Sequence, residues 1–303
     1  MGMTALAVAA VAGSIAPPAS TAQRARSAMA VPAAVAVIAP TRTMAAPGAT
    51  PSATPDDGAT VPGHAAYDLR PTPDPLATAS PRLLPNCTYS DVPTRLGGRD
   101  DWAYTLVDTT YSLPDSYEPP DLVNVDEAGF STGFDVRELM IPDLRAMASA
   151  AADAGAPLAI ASGYRSYWTQ ASTFLYWVYD KGYDQALLES ARPGHSEHQL
   201  GLAIDFMDLG GVAPWDFNDF ALDSNAGAWL AGHAAHYGFV MSYPAGRQSD
   251  TCYTYEPWHY RYVGRPAASG IKASGLTLRE WLWQRQPMPG SAQATPTARW
   301  TAP

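Results

Sequence analysis

With 303 residues, a net charge of −10 and a pI near 4.9, the chain is acidic, and no run of Lys or Arg is long enough to form a phosphate-binding stripe. Nucleic acids and anionic membrane surfaces are therefore excluded as main partners. Its 28 prolines and 24 glycines are unevenly placed, and that unevenness divides the chain.

Residues 1–22 open with the small apolar run MGMTALAVAAVAGSIA and continue into PPASTAQ. The pattern has the hydrophobic stretch and small-residue cleavage site of a signal peptide, with Ser20 and Ala22 at the −3 and −1 positions, although a basic leader is missing. Pro17 and Pro18 stop the run short of the about 20 apolar residues that a membrane-spanning helix needs. An extracellular protein, secreted or held at the cell envelope, is expected. Residues 23–83 are rich in Ala, Pro, Thr and Ser and hold few large apolar side chains. Such a stretch cannot offset the entropy of ordering and reads as a flexible linker, which could tether the domain to membrane or wall. Residues 287–303 have the same texture and read as a flexible tail.

Residues 84–286 form the expected folded domain. VRELMIPDLRAMASAAADAG carries apolar residues at helical spacing and closes on glycine, and SYWTQASTFLYWVYDKG does the same. PLAIASGY suits a buried strand, and GLAIDFMDL alternates as a strand would. NAGAWLAGHAAHYGF reads as a third helix, EPWHYRYVG as a short aromatic strand, and LTLREWLWQR as a closing helix. Helices and short strands mix without a repeating βαβ unit, which gives an α+β fold. The two cysteines, Cys87 and Cys252, are too few for a Cys-rich zinc site. In an exported protein the simple reading is one disulfide between the start of the domain and its C-terminal part, and two buried thiols are the alternative.

Of six histidines, five fall between positions 195 and 259. SEHQLGLAID contributes His198 and Asp205, EPWH contributes Glu256 and His259, and SGYRS presents Arg165 after a strand. Zinc takes imidazole and carboxylate donors, and a catalytic site keeps three of them beside an open position. His198, Asp205 and His259 would supply such a set, provided the chain bends between the first two, with Gly201 as the bend. Glu256 is the natural general base, and the Arg165 guanidinium suits an anionic chain end or an oxyanion. Taken singly, each of these residues also fits a structural role, and the HExxH helix of common zinc proteases is absent. Residue chemistry alone leaves the metal site open.

SGYRSYWTQ, RPGHSEHQLGLAIDF and EPWHYRYVG, in this order, closely resemble the signatures of the VanY-type D-alanyl-D-alanine carboxypeptidases. The upstream TLVDTTYSLPDSYEPPDLV is also similar, so the resemblance covers about residues 100–286. It implies a Hedgehog/DD-peptidase fold, with a small antiparallel sheet flanked by helices. It makes His198, Asp205 and His259 the ligands of a zinc ion, Glu256 the base and Arg165 a substrate-binding and catalytic residue. Ser196 and Gln170 become further substrate contacts. The implied reaction removes the terminal D-alanine from peptidoglycan stem peptides. An L,D-carboxypeptidase or an endopeptidase on the same peptides would share these motifs. A non-catalytic zinc module that binds the wall is a third reading, and the intact Glu256 argues against it. His195 falls outside the ligand pattern, and His233 and His236 read as core or surface residues of a helix. His64 sits in the linker.

Overall fold

The computed structural model describes residues 83–95 and 102–286. The expected signal peptide, the linker up to residue 82 and the tail over 287–303 lie outside the described residues, as does His64. Two short pairs come first: β1 (Val92–Pro93) runs parallel to β2 (Tyr111–Ser112), and β3 (Leu122–Asn124) antiparallel to β4 (Asp135–Arg137). The main sheet holds β5 (Leu158–Ser162), β6 (Ala203–Asp208), β7 (Phe239–Met241) and β8 (His259–Tyr262), all antiparallel, in the order β5-β6-β8-β7.

Alternation along β6 and β8 gives the sheet two different faces. Ile204 stands opposite Tyr260, and both join Phe206 and Phe239 in the principal core. Ala203 stands opposite Arg261 and Asp205 opposite His259, and directly opposed residues share a face. One face is therefore apolar and the other carries charge.

Helix α1 (Ile141–Asp153) closes the apolar face with Ile141, Leu144, Met147 and Ala151, one stripe at helical spacing. The sequence pattern predicts this helix from Val136, but Val136 and Arg137 belong to β4 and Glu138–Met140 to a 3-10 turn. Pro142 is the cause, because a proline donates no helical hydrogen bond and fits the first turn rather than the interior. Helix α2 (Tyr167–Lys181) begins where Ser166 Oγ accepts the Thr169 amide at 3.2 Å and stops at Gly182. Helix α3 (Tyr183–Glu189), which the sequence reading does not anticipate, packs Ala186 and Leu187 on Phe174 of α2.

Helix α4 (Asn225–His233) is capped by Ser224 and passes into a 3-10 turn, Ala234–Tyr237, so the expected third helix is one element in two geometries. Helix α5 (Arg265–Ser274), also unanticipated, and helix α6 (Leu278–Arg285) form a second cluster with Ala103, Leu106 and Val263. Thr277 and Glu280 make a reciprocal capping box at the start of α6.

Cys87 and Cys252 are bonded, joining the first described segment to the turn Gln248–Thr251 across 165 residues. Arg279 reinforces the same junction, with Nε on Asp108 Oδ2 at 2.7 Å and Nη1 on the Asp250 carbonyl at 2.9 Å. Cross-linking so long a loop restricts the unfolded chain. Replacing both cysteines by serine is expected to cost about 2–4 kcal/mol, read as a lower urea midpoint at unchanged native circular dichroism.

Candidate metal centre

The charged face of the sheet gathers the motif residues. Asp205 projects from β6 and His259, its register partner, from the start of β8. Glu256 precedes His259 in a tight turn closed by the His259 amide on the Glu256 carbonyl at 3.2 Å. A turn, rather than a helix or a bulged strand, thus carries EPWH past Pro257.

His198 arrives from a 3-10 turn, Glu197–Leu200, before β6. Ser196 Oγ caps that turn by accepting the His198 amide at 3.3 Å, and Gly201 ends it at φ +67°. Gly201 is the bend that the spacing of His198 and Asp205 demands. A Cβ there would stand 3.0 Å from side-chain atoms of both Arg137 and Leu122.

Hydrogen bonds assign the imidazole nitrogens. His198 Nδ1 lies 2.7 Å from the Gly163 carbonyl, so it carries the proton and donates. Nε2 is then a bare lone pair, buried and without a hydrogen-bond partner, 3.3 Å from Asp205 Oδ2. Two acceptors facing one another in a buried site call for a cation between them. His259 Nδ1 lies 3.1 Å from Asp205 Oδ1, and its Nε2 lies 3.1 Å from Glu197 Oε2. Ligand bonds of about 2.0–2.2 Å in a tetrahedral site put neighbouring donors about 3.4 Å apart. The distances at Asp205 and the two-imidazole, one-carboxylate donor set fit zinc on that measure. His198, Asp205 and His259 are the one cluster of metal-binding donors among the described residues.

The surrounding charges set protonation. Burial, with the Arg165 charge, lowers His198 to about 4 against the pull of Asp205, so the ring is neutral. Burial would raise Asp205, yet it is held well below the usual carboxylate range, with the protonated His259 donating to Oδ1. Burial would lower His259, but its bonds to Asp205 and Glu197 lift it to about 10 in the metal-free protein. Glu256 behaves oppositely to Asp205. Its Oε2 lies 3.8 Å from His259 Nδ1, too far for a hydrogen bond, and burial with the charges of Asp205 and Glu197 lifts it to about 7.

The other predicted residues divide. Arg165 follows β5, its amide on the His198 carbonyl at 3.3 Å, and its Nε is buried without a partner. Its charge is felt at His198 and Glu256, which puts it at the site. Ser196 is buried against His198. Gln170 is fully buried on α2, where Nε2 donates to the Ala191 carbonyl at 2.7 Å and Oε1 lacks a partner. His195 stays apart, bonding Asp91 Oδ1 at 2.9 Å and the Asp108 carbonyl at 2.7 Å. His233 and His236 are exposed.

Sequence reasoning passes over Glu197 and Arg261. Both are buried, and Arg261 Nη1 donates to Glu197 Oε1 at 3.1 Å. The signal was present: Arg261 is two residues after His259 on a strand, hence on the same face, and Glu197 sits inside the His198 motif.

The VanY sequence profile, described as D-alanyl-D-alanine carboxypeptidase, matches residues 134–265. A D-alanyl-D-alanine carboxypeptidase of Enterococcus faecalis (strain ATCC 700802 / V583) is 32% identical over 195 residues, covering 61% of this chain and 68% of the relative. The chain belongs to the VanY family. The YodJ protein of Bacillus subtilis (strain 168) is 40% identical over 180 residues, and the match spans 58% of this chain but 65% of the relative's length. Among solved structures, the LdcB LD-carboxypeptidase superposes with a TM-score of 0.53 at 40% identity, over 59% of this chain and 85% of that one. A mutant of the vancomycin-resistance D,D-pentapeptidase VanY from a VanB-type cassette, in complex with Zn(II), gives 0.52 at 31% identity, over 60% and 99%. The α+β fold is thus the DD-peptidase type that the motifs implied.

Gly201 offers a direct check on how this family member positions its first imidazole. Gly201→Ala is expected to cost about 1–3 kcal/mol, from the left-handed backbone and the two 3.0 Å contacts. Denaturant titration measures it, and an unchanged midpoint would contradict the strain.

Proposed function

We propose that the chain is a zinc carboxypeptidase, secreted or held at the cell envelope, that hydrolyses the terminal D-Ala–D-Ala bond of peptidoglycan stem peptides. The observation that carries this reading is the unpartnered His198 Nε2 aimed at Asp205, with Glu256 beside the same ligand set. The solved D-Ala-D-Ala complex of VanYB, 30% identical to this chain with a TM-score of 0.52, supports the substrate class.

Bound by His198, Asp205 and His259, zinc supplies polarisation of the scissile carbonyl and acidification of water. Glu256, lifted to about 7, is suited to take the proton of the attacking water and hand it to the leaving amine. The Arg165 guanidinium, with a buried and unpartnered Nε, has capacity to bind a terminal carboxylate. Ser196 Oγ accepts from the His198 amide and keeps its own proton to donate to that carboxylate. A pocket that reads a chain end favours removal of the last residue over cutting an internal bond. The signal-like residues 1–22 and the Ala/Pro-rich linker support export, and the Cys87–Cys252 disulfide supports an oxidising compartment. The net charge of −10 argues against nucleic acid as a partner.

A second reading, an L,D-carboxypeptidase acting on tetrapeptide stems, is favoured by the likeness to LdcB. The purified protein is expected to release D-Ala from pentapeptide stems faster than from tetrapeptide stems. Release from the tetrapeptide alone would transfer the assignment to the second reading. Thorough chelation is expected to abolish release and added zinc to restore it. Glu256→Gln is expected to bind zinc as the wild type does while kcat falls by about 10²–10⁴-fold. Turnover at the wild-type rate would remove Glu256 from the chemistry.

A further inference from the structure

Glu197 is anionic, buried and outside the ligand set, yet each of its oxygens has an assigned donor. Oε1 takes Arg261 Nη1 at 3.1 Å, and Oε2 takes the Ser242 hydroxyl at 2.6 Å and His259 Nε2 at 3.1 Å. Arg261 is fixed from behind, with Nη2 on the Trp102 carbonyl at 3.1 Å and the Thr105 carbonyl at 3.3 Å. Buried ion pairs of this kind are often no more stabilising than apolar side chains of the same volume. The arrangement asks for a reason other than stability, and it ends on a metal-binding imidazole.

We propose that Glu197, held by Arg261 and Ser242, is the positioning residue that makes His259 a ligand by keeping its proton on Nε2 and leaving Nδ1 free. The inference rests on the metal-centre reading above and adds to it a residue that acts through His259. An acceptor at Oε2 requires the facing nitrogen, Nε2, to donate. Without metal, Nδ1 carries the second ring proton toward Asp205; with Nε2–H held by Glu197, that second proton is the one an entering ion would displace, which makes Nδ1 the ligand atom. The Arg261 guanidinium has no acceptor capacity, so Oε1 must remain an oxygen.

An isosteric variant isolates this role of Glu197. In Glu197→Gln, Arg261 retains the oxygen, and the amide NH₂ occupies the place of Oε2. That group donates, so His259 Nε2 must accept and the ring proton moves to Nδ1, the ligand atom. The fold loses no volume, and the imidazole presents the wrong nitrogen.

The test uses the full chain, wild type and Glu197→Gln, with zinc affinity measured by competition against a chromophoric chelator. The variant is expected to bind zinc about 10–100-fold more weakly. Long-range 1H–15N correlation of the histidine rings is expected to show Nε2–H at His259 in the wild type, zinc-loaded and metal-free alike, and a bare Nε2 in the metal-free variant. A merely structural role would leave a proton on Nε2 in the variant as well. Wild-type affinity in the variant, or a bare His259 Nε2 in the zinc-loaded wild type, would overturn the proposal and leave the metal centre standing. A wild-type protein that binds no zinc would instead overturn the metal-centre reading. If Glu197→Gln does not fold, the wild-type ring spectrum still decides. Ser242→Ala, which removes one donor from Oε2, is then expected to weaken zinc binding by less than the 10–100-fold range, and unchanged affinity would count against the network.

Discussion

The site depends on one register: Asp205 of β6 stands directly opposite His259 of β8. Directly opposed residues of an antiparallel pair share a face, so a single pairing delivers a carboxylate and an imidazole to one point. The same register puts Ala203 opposite Arg261, where the small side chain leaves space for the guanidinium beneath the site. A slip of one residue would turn Asp205 into the apolar core and bring Ile204 to the charged face. The packing of Ile204, Phe206, Phe239 and Tyr260 against α1 makes that slip costly, so the hydrophobic core holds the polar face in place.

Within that frame, two carboxylates a few ångströms apart are given different characters. Asp205 is surrounded by imidazole nitrogens and stays ionised. Glu256 is raised by burial and by two neighbouring carboxylates, against the nearby His259 and the Arg165 charge, and it titrates near neutrality. Separating the protonation of paired acids by environment is how one site can hold a cation with one carboxylate and move protons with the other. Glu197, below them, is held at about 2 against its burial, by the His259 hydrogen bond first and then by the Arg261 charge.

The support of the site reaches beyond the stretch that matches the family profile. Arg261 leans on the Trp102 and Thr105 carbonyls, His195 on Asp91 and Asp108, and Arg279 on Asp108. Residues 83–95 and 102–113 are therefore laid as a strap against the sheet domain, and the Cys87–Cys252 bond fastens its start. Carbonyls of this strap, at Trp102, Thr105 and Pro85, find their donors on β8 and α6.

The sequence by itself determined the local elements and the donors of the site. Glycine at residues 182 and 201, serine at 166 and the apolar spacing of α1 act over a few residues, so their signals are readable without the fold. Motif order was also enough to choose His198 over His195, three positions away. Only the tertiary structure decided which nitrogen of each imidazole is turned to Asp205, because the other is taken by the Gly163 carbonyl or by Glu197, supplied by other elements. It also decided that Pro142 delays α1 while β4 takes the preceding residues, and that α3 and α5 form on packing surfaces their own short sequences do not announce. Hydrogen-bond partners distant in sequence and faces shared across strands are properties of register and packing, and no local pattern encodes them.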